Sequence, residues 1–322
     1  MAKKPYIIAL EEHYQDPEVK QLGAGPGAGR EVVERLDDLG ALRIREMDEA
    51  GIDLQVLSHS IPGLQAVDAE TGPPLARRTN DRLSEAVQRH RDRFSAFAVL
   101  PTANPRAAAD ELERAVTQLG FKGAMVNGMT NGVFHDDKRF WPIWERAAKL
   151  DVPIYIHPAL PHAAVIEAYY KDYVQSHPGI LRAAWGFTVE TATQGLRFVL
   201  SGVFDAHPNL KIILGHMGEG LPPAVAHQSW AARDNDGEDV PRYFLRAFLD
   251  HDERLLLGYR AHVQHDGDGY RSHPVLGRLP ICRKFAWHRM AEDAAARPGG
   301  HRETAERQCP SSAQDLRVMV SR

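Results

Sequence analysis

The chain contains very little cysteine. Only Cys282 and Cys309 occur among its 322 residues. Two cysteines exclude a disulfide framework and any zinc site built from four cysteines, and they fit a reducing compartment. The hydrophobic fraction of 43% is high enough, at this length, for the large core of an α/β domain.

Long hydrophobic runs are also absent. The segment "MAKKPYIIALEEH" contains a basic pair, but "EEH" soon interrupts its apolar stretch. That stretch is too short for the apolar region of a secretory signal or for a membrane span. We therefore predict a cytoplasmic protein that does not partner a membrane.

Neither sign of charge dominates, and nucleotide-binding motifs are missing. The net charge is -4 and the isoelectric point is about 6.5, so the chain has no general field that would attract nucleic acid or anionic lipid. No predicted strand is followed by a G-x-G-x-x-G or Walker loop. We expect a small-molecule partner rather than a nucleic acid.

Short apolar segments alternate with helical stretches up to about residue 248, as in βα units around a parallel sheet. Nearly continuous apolar strands imply burial on both faces. Helices are predicted between them, for example over 31–51 and 105–121. The predicted strands cover residues 6–13, 54–60, 94–101, 123–128, 152–158 and 210–217.

Several of these strands end in a polar or ionisable residue. In a (β/α) barrel the carboxyl ends of the strands form the active-site face. This regularity favours an α/β barrel over a doubly wound sheet, which is the alternative.

The first strand ends in "ALEEH". Glu11 and His13 lie two residues apart, so both side chains point to one face of the strand while Glu12 points to the other. A carboxylate and an imidazole at a strand end suit a divalent transition metal. The alternative is an exposed polar strand end.

His157 closes the apolar strand "VPIYIHP". A single histidine in this position is more often a hydrogen-bonded core residue. Here, however, a second strand delivers a metal-competent ligand to the same end of the predicted barrel. His13 and His157 therefore support each other as ligands.

In "LGHMGEGLP", His216 ends the sixth strand and Glu219 follows three residues later. His216 could be a further ligand or an acid–base group that Glu219 orients. The alternative is a structural turn with a capping glutamate. His59 and Asn127 also lie at strand ends and are candidates to line a substrate pocket.

The segments "LEEH", "FAVLP", "GFKGAMVNG", "YIHP" and "ETATQGLRFVLSGVFDAHPNLKIILGHMGEGLP" together resemble the metal-dependent decarboxylase branch of the amidohydrolase superfamily. This branch includes the γ-resorcylate, 2,3-dihydroxybenzoate and 5-carboxyvanillate decarboxylases. The resemblance runs from residue 6 to about residue 222. It implies a (β/α)8 TIM barrel that acts on a small aromatic carboxylic acid and assembles as a dimer or tetramer.

The resemblance also implies one divalent metal, held by Glu11, His13, His157 and an Asp from the eighth strand. His216 and Glu219 match the catalytic histidine of the branch and its partner. The metal binds the carboxylate and an ortho hydroxyl of the aromatic acid. The Asp then protonates the ring carbon, and carbon dioxide leaves. Carboxylate and imidazole ligands favour Zn or Mn over Mg.

The resemblance stops at about residue 248. The segment "HDERLLLG" can be encoded so that reading one base later gives T-T-S-G-F-F-S, the seventh-strand motif of the branch. The same offset allows "DGDGYRSHPVLGRL" to be decoded as the eighth strand of the branch and its Asp, with that Asp near Arg278. We therefore hypothesise a frameshift between about Arg246 and Asp250.

The frameshift hypothesis divides the chain into two parts. Residues 1–248 form a barrel of six βα units, and residues 249–322 form an out-of-frame tail that we expect to be poorly ordered. The tail would lack strands seven and eight and the fourth metal ligand. Two further functions stay open. One is a metal-dependent hydrolase of the same superfamily. The other is a non-catalytic barrel whose tail, with eleven Arg in residues 251–322, binds nucleic acid.

Overall fold

Parallel strands form the centre of the fold, and every strand pair in the described part of the chain is parallel. The computed structural model describes residues 6–22 and 29–221, and the backbone alone of 255–257. The strands form two groups, β1-β2-β3 and β4-β5-β6-β7-β8, in which hydrogen-bonded neighbours are consecutive in the chain. The strands are β1 (Ile8–Tyr14), β2 (Leu54–His59), β3 (Phe94–Ala96), β4 (Ala98–Val99), β5 (Ala124–Asn127), β6 (Pro153–His157), β7 (Lys211–Leu214) and β8 (Leu255–Leu257).

One continuous extended segment joins the two groups of strands. Phe97 lies between β3 and β4 and donates its backbone N–H to Leu57 O of β2, whereas Ala98 donates to Gly123 O beside β5. The segment therefore bridges both groups, and the strand predicted over 94–101 is present as β3 and β4. Each of the six predicted strands has its counterpart.

Helices connect the strands, giving the repeated βα order of a barrel. Within the described ranges, no helix is long and apolar enough to cross a membrane. The helices are α1 (Pro17–Lys20), α2 (Arg30–Asp37), α3 (Ala41–Ala50), α4 (Gly72–Arg89), α5 (Pro105–Thr117), α6 (Trp141–Leu150), α7 (Ala163–Val165), α8 (Gly186–Leu200) and α9 (Val203–Ala206).

The single helix predicted over 31–51 is wrong, because α2 and α3 are separate helices. Asp38 has an extended backbone, and its Oδ1 accepts hydrogen bonds from the backbone N–H groups of Gly40 and Arg43. This local bonding competes with continued helical hydrogen bonding and starts a new helix. The predicted end of the segment is correct: Gly51 caps α3 in the left-handed conformation, with φ 72°.

The strands bury apolar side chains on both faces, as predicted. One cluster lies inside the barrel, and a larger one lies between strands and helices. On β2, Leu54 and Val56 belong to the inner cluster and Leu57 to the outer one. Each fully buried side chain of this kind contributes roughly 1.5–3 kcal/mol to folding. Tyr155 of β6 also belongs to the inner cluster, two residues before His157.

A short strand follows β7 inside the segment that we interpreted as out of frame. The backbone of β8 pairs with β7 in parallel, with Leu255 opposite Ile212 and Leu257 opposite Leu214. A strand therefore stands where the seventh barrel strand belongs. The predicted loss of the last strand, and the order of the remaining tail, concern residues outside the described ranges.

Candidate functional site

A bulge in β1 sets the position of Glu11. The register with β2 runs Ala9 opposite Gln55 and then Glu12 opposite Leu57, so one extra residue is present on β1. Glu11 adopts φ 63°, a conformation uncommon for a non-glycine residue and often found at functional sites. A bulge re-aims the side chain it carries, and Glu11 is almost fully buried, at 3% exposure.

Glu11 meets two histidines from distant strands. Its Oε1 lies 3.3 Å from His157 Nε2 and 3.0 Å from His216 Nε2. The possible ligand atoms of Glu11, His157 and His216 all lie within 4.8 Å of one another. The carboxyl ends of β1, β6 and β7 therefore bring a carboxylate and two imidazoles together, as expected for a barrel.

The hydrogen bonding of His157 suits a metal ligand. Its Nδ1–H donates to the carbonyl oxygen of Pro158 at 2.6 Å. With a proton on Nδ1, Nε2 is the ring nitrogen directed at Glu11 Oε1, and these two atoms are the ones that a metal ion would bind. The donor set of carboxylate oxygen and imidazole nitrogen fits a divalent transition metal such as manganese or zinc.

His13 lies beside this cluster. Its Nε2 is 3.8 Å from Glu11 Oε1, and its ring centre is 4.8 Å from that of His157. Ser58 Oγ lies 3.3 Å from Nδ1 on the opposite side of the ring. Glu11 and His13 therefore share one side of β1 as predicted, whereas Glu12 turns away and accepts from Gln55 Nε2 at 2.6 Å.

Tyr155 is a site residue that the sequence motifs did not indicate. It is fully buried, and its hydroxyl donates to Glu11 Oε2. Glu11 therefore presents Oε1 to the histidines and Oε2 to the phenol. The available signal was the strand period, because residues two apart on β6 point to the same face.

His216 and Glu219 form a second hydrogen-bonded pair. His216 Nδ1 lies 2.6 Å from Glu219 Oε1. Three non-glycine residues here, His216, Met217 and Glu219, have φ between 51° and 58°, so strained backbone folds the two side chains toward each other. His216 begins the short turn His216–Gly218 that follows β7, and Glu219 directly follows that turn. The spacing of three residues predicts this proximity.

Burial and hydrogen bonding have opposite effects on the pKa values of Glu11 and His216. Burial by itself raises the pKa of Glu11, but His157 and His216 outweigh it and hold that pKa well below its ordinary value. Burial lowers the pKa of His216, yet its hydrogen bonds to Glu11 and Glu219 raise it to about 9. An imidazolium flanked by two carboxylates is the favoured state of this arrangement.

Asn127 lies at the end of β5, directly opposite His157 of β6. Its backbone N–H donates to Gln65 Oε1, and its own side-chain Oδ1 is buried without a hydrogen-bond partner among the described residues. A buried acceptor of this kind is costly unless a ligand or water satisfies it. Asn127 is therefore placed as a pocket residue would be.

His59 has a different environment. Its Nδ1–H donates to Ser60 O at 2.7 Å, and its Nε2 accepts the backbone N–H of Asp16 at 3.1 Å. Burial lowers its pKa, so the ring stays neutral and holds the loop after β1. These contacts support a structural role rather than substrate contact. The Asp ligand expected near Arg278 lies outside the described residues.

Known proteins share both the sequence pattern and the fold. Residues 16–272 match the amidohydrolase family. The γ-resorcylate decarboxylase of Rhizobium radiobacter is 44% identical over 225 residues, which cover 67% of each chain.

Two solved structures are also similar. One is a dihydroxybenzoic acid decarboxylase from Polaromonas sp. JS666 with bound manganese and the inhibitor 2-nitroresorcinol (TM-score 0.69, 37% identity, 80% of this chain and 79% of that chain). The other is a 2,6-dihydroxybenzoate decarboxylase complexed with 2,6-dihydroxybenzoate (TM-score 0.68, 37% identity, 79% of each chain).

The buried carboxylate and imidazoles thus occupy the strand ends of a fold whose similar structures include one with manganese. The family match begins after β1, which carries Glu11 and His13, and runs past β8. On these grounds the chain belongs to the amidohydrolase family, and its resemblance to the decarboxylase branch is confirmed.

Proposed function

We propose that this protein is a metal-dependent nonoxidative decarboxylase of a hydroxylated benzoate. The observation that carries the proposal is the cluster in which Glu11 meets His157 and His216 within 4.8 Å. The relatives named above act on aromatic acids of this class. The substrate is accordingly a small aromatic carboxylic acid.

Glu11, His13 and His157 would hold the metal in this proposal. A divalent ion bound there would supply Lewis-acid stabilisation of phenolate charge and would orient the substrate. Zn or Mn suits these ligands better than Mg. Tyr155 and Ser58 orient Glu11 and His13 through hydrogen bonds.

His216 and Glu219 are the proton-handling pair. Glu219 fixes a proton on Nδ1 of His216, which leaves Nε2 to hold or release the other proton at the cluster. In the reaction, the ring carbon that bears the carboxylate first takes up a proton. The bond between that carbon and the carboxyl carbon then breaks, its electron pair restores the aromatic ring, and carbon dioxide leaves. According to the resemblance, the proton on the ring carbon comes from the Asp of the eighth strand, which falls outside the described residues.

The test is release of carbon dioxide from 2,6-dihydroxybenzoate by manganese-loaded protein. We expect activity from the chain once its last two strands are read in the restored frame, and little or none from the chain as it stands. Release should stop in His157→Gln. If the restored protein binds manganese but turns over only an ester or lactone, the chain is a hydrolase of the same family instead.

The restored barrel is also expected to assemble as a dimer or tetramer. Several large side chains on the segment after β6 are exposed, among them Tyr169 at 70% and Tyr173 at 55%. Exposed apolar residues of this kind are typical of association surfaces. Light scattering on the purified protein measures the assembly directly.

A further inference from the structure

We propose that Thr188, in the first turn of α8, is a positioning residue that fixes Glu219 and, through it, the catalytic histidine His216. The proposal rests on the proposed function insofar as His216 handles the proton. The contact itself is independent of the substrate. Neither the sequence pattern nor the family resemblance assigned Thr188 a role.

Two donors hold the two oxygens of the Glu219 carboxylate. Thr188 Oγ1 donates to Oε2 at 2.9 Å, and His216 Nδ1 lies 2.6 Å from Oε1. Each oxygen therefore has its own donor, and the carboxylate plane cannot rotate without breaking one bond. Hydrogen bonds to an ionised carboxylate are about twice as strong as neutral ones.

The turn that carries Glu219 needs such a tether. Glu219 has φ 52° and ψ -118°, outside the regions that regular structure maintains. Glycines flank it at 218 and 220, and glycine adds backbone freedom. Without an outside contact, few local constraints would keep the carboxylate aimed at His216.

The same turn of α8 contacts the site at two further points. Gly220 passes so close that a Cβ there would lie 3.3 Å from Thr188 Cγ2. Phe187 packs edge-on against His157 and His216, with ring centres 6.3 and 6.1 Å away. The first turn of α8 thus contacts the two histidine rings and the loop that carries the second.

The consequence for chemistry concerns the proton on His216. A fixed Glu219 keeps one proton on Nδ1, so that Nε2 faces Glu11 at 3.0 Å and the reaction centre. When Glu219 is free to turn, the ring can rotate or exchange its tautomer. Turnover then slows, whereas substrate binding through the metal ligands is unchanged.

The first experiment compares Thr188→Val, which removes the hydroxyl and keeps the shape, with Thr188→Ser, which keeps the hydroxyl. We use the manganese-loaded full chain in the form that releases carbon dioxide. We expect kcat of Thr188→Val to fall about tenfold, as for loss of a hydrogen bond to a charged group, while KM stays within about twofold. Thr188→Ser should recover most of kcat.

Thr193→Val is the matched control. Its hydroxyl lies on the same helix but donates to Val189 O, away from the site, so its kcat should equal that of wild type. Wild-type kcat in Thr188→Val would overturn the proposal. So would an equal loss in the Val and Ser variants, or a loss explained entirely by a smaller folded fraction in the thermal melt.

A second readout needs no substrate and uses the chain as it stands. In ¹⁵N-histidine-labelled protein, the ring proton between His216 and Glu219 is identified by its absence from His216→Gln. We expect this resonance to shift or broaden in Thr188→Val and to persist in Thr188→Ser. If the protein in the restored frame turns over no hydroxybenzoate but the proton responds, the proposed function fails and the positioning role stands. An unchanged proton in Thr188→Val contradicts the positioning role whatever the activity.

Discussion

Glu11 is the residue on which the site converges. It contacts His157 and His216 through Oε1 and Tyr155 through Oε2. Its left-handed backbone at the β1 bulge aims the carboxylate into the barrel, where a charge survives only if partners compensate for lost solvation. Changes in the partners of Glu11 should therefore alter metal binding before they alter the fold.

Tyr155→Phe should weaken manganese binding about 10- to 100-fold, the range seen when groups that orient a metal ligand are removed. The phenol hydroxyl holds Oε2 of Glu11, and Phe keeps the ring in the core. Isothermal titration with manganese measures the change in dissociation constant.

Tyr14→Phe provides the control for this measurement. Tyr14 is also buried, but its hydroxyl has no hydrogen-bond partner among the described residues. Its loss should leave manganese affinity within about twofold. Equal effects of the two substitutions would show that Tyr155 does not orient Glu11.

The variants His13→Gln and His216→Gln distinguish the histidine that binds the metal from the histidine that acts as an acid–base group. His13 is the proposed ligand, although the tightest cluster in the fold contains His216 instead. We expect His13→Gln to lower manganese affinity by at least about tenfold. His216→Gln should retain the metal and lose kcat. The reverse pattern in metal analysis would make His216 the ligand.

At the scale of elements, α8 connects the site to the core. Its first turn reaches the two histidine rings and Glu219 through Phe187 and Thr188, and its inner face buries Glu190. Burial raises the pKa of Glu190 to about 7, against the smaller lowering effects of Arg197 and Gln194. This buried acid makes the stability of the helix depend on pH.

In Glu190→Gln, the melting temperature should fall less steeply than in wild type as the pH rises from about 4.5 to 7. The folded state holds the proton up to about pH 7, whereas the unfolded state loses it near the ordinary value of 4.5. The folded state therefore binds more protons between these values, and the free energy of unfolding decreases as pH rises, by at most about 3 kcal/mol. Thermal melts across this range test it.

Glu85→Gln, at an exposed position of α4, is the control and should leave the pH slope unchanged. An identical slope in wild type and Glu190→Gln would mean that Glu190 does not carry the dependence.

Gly123→Ala should destabilise the junction of β5 and β6. Gly123 has φ 141°, and a Cβ there would lie 2.1 Å from Pro153 O, a clash that the backbone must relieve by shifting. We expect the free energy of unfolding, measured in urea, to fall by about 3 kcal/mol or more.

Gly120→Ala is the matched comparison, because Gly120 has φ 74° but open space around it. Its cost should be only about 1–2 kcal/mol, and equal costs would contradict the clash.

At the scale of the whole molecule, the described fold covers the six predicted strands, the helices that connect them, and one further short strand, β8. A parallel barrel needs eight strands to remove its open edges. The family match runs to residue 272, past the proposed frameshift between about Arg246 and Asp250, so the frameshift stays a prediction.

Sequencing the DNA around codons 245 to 252 should reveal one extra base, or two missing bases, relative to the frame of residues 1–245. The protein encoded in the restored frame should carry an Asp where Arg278 now stands and should melt at a higher temperature, because its barrel is closed. The hypothesis would be refuted if the DNA showed no change of frame and if the protein encoded in the restored frame melted at the same temperature as the present chain.

Much of the fold was predictable because its signals are local. Apolar runs and capping residues located the six strands and the end of α3, and the strand ends pointed to Glu11, His157 and His216. The break between α2 and α3 was missed, since it depends on hydrogen bonds from Asp38 that hydrophobic periodicity does not reveal.

The sequence by itself determined the βα order, the burial of the strands on both faces and the ligand types at their ends, because each follows from the periodicity and chemistry of neighbouring residues. Only the tertiary structure decided that Tyr155 and Thr188 support the site and that His59 holds a loop. It also placed His216 closer to Glu11 than His13. These outcomes depend on a β-bulge, a left-handed turn and contacts between residues up to 205 positions apart, which no local pattern encodes.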